Sequence, residues 1–159
     1  MTPIEQFVTL SSALTGIAAD KLAPALDPID VKQSYFDIAQ KSDPAVFAQL
    51  LAIVAANPAL PPQQLADLVL TQSGDAVMFL GRAIMLAWYL GSWYQPADLQ
   101  AYAGPKPPET PIPSQVVSMN AYTQGWAWST AQAHPMGFST NVFGYWSAAP
   151  PSLGDYIGA

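Results

Sequence analysis

From Ile4 to Leu90 the apolar residues recur three and four positions apart, the spacing of one face of an α-helix. The first stripe is Ile4, Phe7, Val8, Leu10 and Leu14. Thr2-Pro3-Ile4-Glu5 supplies a capping hydroxyl, a proline at the first helical position and a glutamate that closes a capping box. Gly16 stops this helix. Asp27-Pro28 predicts a second start, with Val31, Tyr35 and Ile38 as the stripe. Asp43-Pro44 predicts a third helix to Ala56, with Val46, Phe47, Leu50, Leu51 and Val54 inward. Pro61-Pro62 opens a short fourth helix through Leu70. The fifth and most apolar runs from Asp75 to Leu90 and ends at Gly91. No strand-like alternation competes with these periods.

After Tyr102 the pattern dissolves. "AGPKPPETPIPS" is dense in proline, which fixes φ and removes a backbone donor, so this stretch is extended or turned. Further on, a helix is expected only around Tyr122 to Trp128. The expected fold is all-α: a small bundle of about five helices over residues 1–104. An extended, proline- and aromatic-rich segment over 105–159 packs on the bundle and on a partner subunit, within one domain overall.

Composition sharpens that expectation. Of the 159 residues, 51% are hydrophobic and 10% charged, against roughly 25% charged in an average soluble protein. That is more apolar material than a small domain easily hides, and it points to a partner. Between Glu109 and Asp155 there is no Asp, Glu, Lys or Arg. The same segment carries Tyr122, Trp126, Trp128, Phe138, Phe143, Tyr145 and Trp146. At roughly 150 Å² each, these rings bring on the order of 1,000 Å² of apolar surface, beyond the roughly 600 Å² patch a monomer exposes. Aromatics without charges are also the mark of an interface centre.

Charge and motif absences exclude several classes. The net charge is −6, and the basic residues Lys21, Lys32, Lys41, Arg82 and Lys106 are scattered. No basic face exists for phosphates, which argues against nucleic acid and against an anionic-membrane anchor. The absence of cysteine removes disulfides and thiolate chemistry. The apolar run Ala76–Tyr94 carries Arg82 near its middle and reads as a buried helix, so membrane association is expected only through a complex. No basic leader precedes Thr2.

Candidate chemistry is sparse. His134, the single histidine, has no second histidine or cysteine to share a metal and no acid close in sequence, so it reads as a structural loop residue. Nucleophile elbows, phosphate loops and dinucleotide turns are missing. Glu5, Asp27, Asp30, Asp43 and Asp75 sit at helix starts, where capping accounts for them. Arg82 has two readings: a snorkelling side chain that reaches a carboxylate or carbonyls, or a contact with a partner. No catalytic, cofactor-binding or metal-binding residue is assigned.

Three segments then stand out in order: "FVTLSSALTG" (Phe7–Gly16), "AIMLAWYLGSWY" (Ala83–Tyr94) and "FGYWSAAPP" (Phe143–Pro151). Together they resemble the small, or gamma, subunit of bacterial membrane-bound FAD-dependent sugar and polyol dehydrogenases. The "AHPMGF…FGYW" version is most similar to the sorbitol-dehydrogenase type. The resemblance implies a non-catalytic subunit without its own cofactor. Its large partner would hold FAD and, in several members, an iron–sulfur cluster. A multihaem cytochrome c subunit would pass electrons to membrane quinone. The small subunit would support folding, twin-arginine export and stability of the large one, in the periplasm at the inner membrane. No twin arginine precedes Thr2, which departs from the family's precursors. Phe143, Tyr145 and Trp146 are the expected large-subunit contacts, followed by His134, Trp126 and Trp128. Trp88 and Tyr89 are expected to anchor the bundle, and Trp93 and Tyr94 to face the partner. A carbohydrate-binding or other interaction module using exposed Trp and Tyr is the alternative.

Overall fold

The computed structural model describes residues 1–135, 137–138, 147, 149 and 152–158, and it is mainly α-helical. The first helix, α1 (Pro3–Thr15), begins as its sequence dictates. The Thr2 hydroxyl accepts from the Glu5 amide at 3.3 Å, and Glu5 accepts from the Thr2 amide at 2.7 Å. The Thr2 amide, the larger cause, and the Thr2 hydroxyl beside the carboxylate hold Glu5 below its ordinary pKa. Gly16, with φ 73°, ends the helix. The short α2 (Ala19–Leu22) follows.

The second predicted start is corrected. Helix α3 (Val31–Ser42) begins three residues beyond Pro28. Asp27 does not cap a helix; its carboxylate accepts the Asp30 amide at 2.8 Å and closes a local loop. Lys32 Nζ then clasps both acids, at 2.9 Å from Asp27 and 2.8 Å from Asp30. Asp30 sits at φ 53°, so the chain turns left-handed before the helix begins. Burial raises the Asp27 pKa, but the Lys32 ammonium and the Asp30 amide outweigh it and hold the carboxyl low. A carboxyl depressed on folding stabilises the fold above its unfolded pKa, about 3.9, and loses that contribution as pH falls through the folded value. Asp27→Asn is therefore expected to narrow the difference in urea midpoint between about pH 5 and about pH 3. An unchanged difference would remove Asp27 from the acid response.

Helix α4 (Pro44–Ala56) starts on Asp43, whose carboxylate accepts from the Ala45 and Val46 amides at 3.1 and 3.0 Å. Phe47, Leu50 and Val54 are buried from it. Helix α5 (Pro62–Asp67) continues into a π turn over Leu68–Gln72, where the expected helix ran straight to Leu70. Val69 in this turn packs close to Gly81, at which a Cβ would lie only 3.0 Å from Val69 Cγ1. Helix α6 (Asp75–Leu90) is central: it packs against α1, α3, α4, the π turn and α7 (Pro96–Tyr102).

Two aromatic clusters lock the bundle. Phe7, Phe36 and Phe47 join α1, α3 and α4 with centroid separations of 5.1 to 6.0 Å. Tyr35 meets Trp88 edge-on at 4.8 Å and joins α3 to α6. Tyr89 donates to the Thr15 carbonyl at 2.8 Å and ties α6 to the end of α1.

The sequence pattern did not predict the small antiparallel sheet. Strand β1 (Ser92–Tyr94) pairs with β2 (Ser114–Val116), with Trp93 opposite Gln115. Three-residue strands are too short for an alternation to register. The C-terminal segment also holds more helix than the extended chain expected of it: α8 (Met119–Thr123), α9 (Trp126–Thr130) and α10 (Leu153–Ile157). It returns to the bundle. The Val117 amide donates to Gly91 O at 3.0 Å, and the Ala18 amide to Ile157 O at 2.9 Å. Gly91 closes α6 at φ 65° and lies so near α8 that a Cβ there would overlap the Ala121 carbonyl.

Candidate functional site

The residues expected to contact a partner divide into three groups. Trp93 is corrected: it is 2% exposed, and strand pairing turns its indole into the chain's own core, leaving no surface for another protein. Tyr94, Trp126 and Trp128 are half-buried. Trp128 stacks edge-on against Tyr122 at 5.6 Å, and its Nε1 donates to the Tyr122 carbonyl at 2.8 Å. His134 is exposed, with Nδ1 3.1 Å from the Pro135 carbonyl oxygen. Phe143, Tyr145 and Trp146 lie outside the described residues.

Trp126 forms one wall of a small cavity. Tyr35, Trp88, Leu22, Pro24 and Val31 line it too, and Lys21, Asp27 and Gln124 contribute polar atoms. The cavity holds about 90 Å³, room for roughly three waters at about 30 Å³ each. Sites for cofactors and drug-sized ligands run to about 300 Å³ or more. Neither a flavin nor a sugar ring fits here. Burial raises the Tyr35 hydroxyl far above the ordinary tyrosine range, so it stays protonated. Its nearest acceptor is Ala121 O at 3.5 Å, a long contact.

Several of the described acids are taken up by local structure. Glu5 and Asp43 cap helices, Asp27 and Asp30 hold one loop with Lys32, and Asp75 accepts from Gln100 Nε2 at 3.2 Å. Among the described residues no group of three or more His, Asp or Glu side chains is placed to hold a metal. No helix among them is long and apolar enough to cross a membrane.

The exposed apolar side chains are the feature that sequence reasoning missed. Leu90, Val116 and Met119 are 37%, 52% and 62% exposed. The β pairing and the Val117–Gly91 hydrogen bond bring their backbones to one end of α6. Leu26, 90% exposed, projects from the loop that Lys32 clasps. Periodicity marks which residues are apolar, but it does not say which helix face remains uncovered. "LAPALDPID" carried a signal of its own, since a leucine between prolines and aspartates has no stripe to join.

The first of the two readings of Arg82 is corrected. It reaches neither a carboxylate nor a carbonyl among the described residues; its guanidinium lies over the Phe79 ring, 5.1 Å from the centroid. The two residues are one helical turn apart on the same face of α6.

The fold and these surfaces define the class: a mainly α-helical chain with apolar side chains left at one end of its central helix. Comparison with family models, curated proteins and solved structures finds no match for the chain.

Proposed function

We propose that this chain is the non-catalytic small subunit of a periplasmic FAD-dependent sugar or polyol dehydrogenase complex. It supports folding, export and stability of the flavin-bearing large subunit. FAD, with an iron–sulfur cluster where one is present, belongs to that partner, and haem c to a cytochrome subunit. The observation that carries the reading is the exposed apolar group Leu90, Val116 and Met119, beside the charge-free C-terminal segment. Apolar side chains gathered at one end of a helix favour association with a second protein. The three segments quoted above give that protein its class. The partner surface extends to Tyr94, Trp126, Trp128 and His134, together with Phe143, Tyr145 and Trp146. Stacking on sugar rings is the weaker reading, because no described tryptophan is fully exposed and Trp128 meets Tyr122 edge-on rather than coplanar.

Co-expression with the flavin-bearing large subunit of a sugar or polyol dehydrogenase from the same genome tests the proposal. The two chains are expected to co-purify, with a higher yield of active large subunit. Val116→Asp with Met119→Asp is expected to cut recovery of the pair at least about tenfold, since charges at an interface centre are strongly disfavoured. Both side chains are exposed, so the isolated variant keeps its helical circular dichroism. Absence of co-purification, together with an unchanged yield, refutes the subunit role.

A further inference from the structure

We propose that the groove over Arg82 is a binding site for a carboxylate carried on an apolar body. The groove is a shallow depression, widely open to solvent, of about 470 Å³ between α6 and the end of α7. Asp75, Met78, Phe79 and Arg82 line it from α6, and Gln100 and Ala103 from α7 and its end. Arg82 is the only arginine in the chain, and it is half-buried. No ion pair or hydrogen bond joins it to any described residue. Its one contact of note is the Phe79 ring, whose centroid lies 5.1 Å from the guanidinium carbon. A planar fork of donors without a described partner matches the two oxygens of a carboxylate. Asp75 lines the same groove but makes no ion pair with Arg82; its carboxylate accepts from Gln100 Nε2 at 3.2 Å.

The rest of the lining selects among anions. The Asp75 carboxylate adds a negative charge within the groove, which disfavours a dianion such as inorganic phosphate. Met78, Phe79 and Ala103 offer apolar surface to whatever bears the carboxylate. This site stands apart from the subunit reading: it concerns α6 and α7 of this chain and is tested on the full chain alone.

With a single arginine, the chain gives one arginine Nε–Hε resonance, which reports on this site without ambiguity. Titrating the ¹⁵N-labelled full chain with phenylacetate is expected to shift that resonance saturably. Phenylacetamide, its neutral counterpart, and inorganic phosphate are expected to bind at least about tenfold more weakly. Arg82→Lys keeps the charge but loses the fork and is expected to weaken phenylacetate binding about tenfold. Arg82→Gln abolishes it; having no hydrogen bond or ion pair to lose, that variant melts near the wild type. A capped peptide, acetyl-Leu-Glu-Phe-amide, separates the two sources. Tighter binding of the peptide than of phenylacetate assigns the carboxylate to a polypeptide, and the reverse assigns it to a free acid. The proposal is overturned if neither carboxylate shifts the resonance saturably, if phenylacetamide or phosphate binds as well as phenylacetate, or if phenylacetate binding, followed on the backbone amides of α6, survives in Arg82→Gln.

Discussion

Replacing Gly91 with alanine is expected to loosen the C-terminal segment from the bundle and to cost about 3 kcal/mol or more of stability. Two effects add. At φ 65° a Cβ is strained by itself, and here it would also overlap the Ala121 carbonyl of α8. Helix α8 must move away, and the Val117–Gly91 hydrogen bond breaks with it. Gly16→Ala is the control. It has φ 73° and nothing within 4 Å of the new Cβ, so only the conformational cost of about 1–2 kcal/mol applies. Urea denaturation measures both losses, and hydrogen exchange over α8 and α9 locates the first. Equal losses in the two variants would mean that the close approach at Gly91 does not constrain the fold.

Phe7→Ala is expected to be at least as damaging, at about 3–5 kcal/mol. Phe7 is fully buried, and its ring meets Phe36 at 5.6 Å and Phe47 at 6.0 Å. Removing it leaves a void between α1, α3 and α4 that none of the three can fill without sliding. Against a typical total stability of about 5–15 kcal/mol, such a loss unfolds a large share of the molecules under mild denaturant. Phe36→Ala, which removes a half-buried ring from the same cluster, is expected to cost less. A urea midpoint for Phe7→Ala close to that of the wild type would deny the cluster its place at the centre of the core.

Legibility in the sequence followed the range of the forces. Thr2 with Glu5, Asp43 with Pro44, and Gly91 each act within a few residues, and the helices they bound match their stripes. Asp27-Pro28 carries the same local signal and misleads, because Lys32 offers Asp27 and Asp30 a better arrangement than a helix cap. Helix α7 escaped notice in Gln95-Pro96, where no polar cap announces it and its seven residues bury little besides Leu99. The candidate surface was less legible still. Trp93 and Trp128 look alike in sequence, yet one lies in the core and the other stacks against Tyr122. Arg82 gave no hint that its guanidinium would settle on Phe79 one turn back rather than on an acid.

By itself the sequence determined the mainly helical character, the bounds of the long helices and the buried course of α6, because propensity, capping and apolar period act along the chain. Only the tertiary structure decided which apolar side chains remain in water at Leu26, Val116 and Met119, that Trp93 belongs inside, and that α6 and α7 leave a groove over Arg82. Those outcomes depend on which surfaces meet across gaps of many residues, and a one-dimensional pattern carries no record of that.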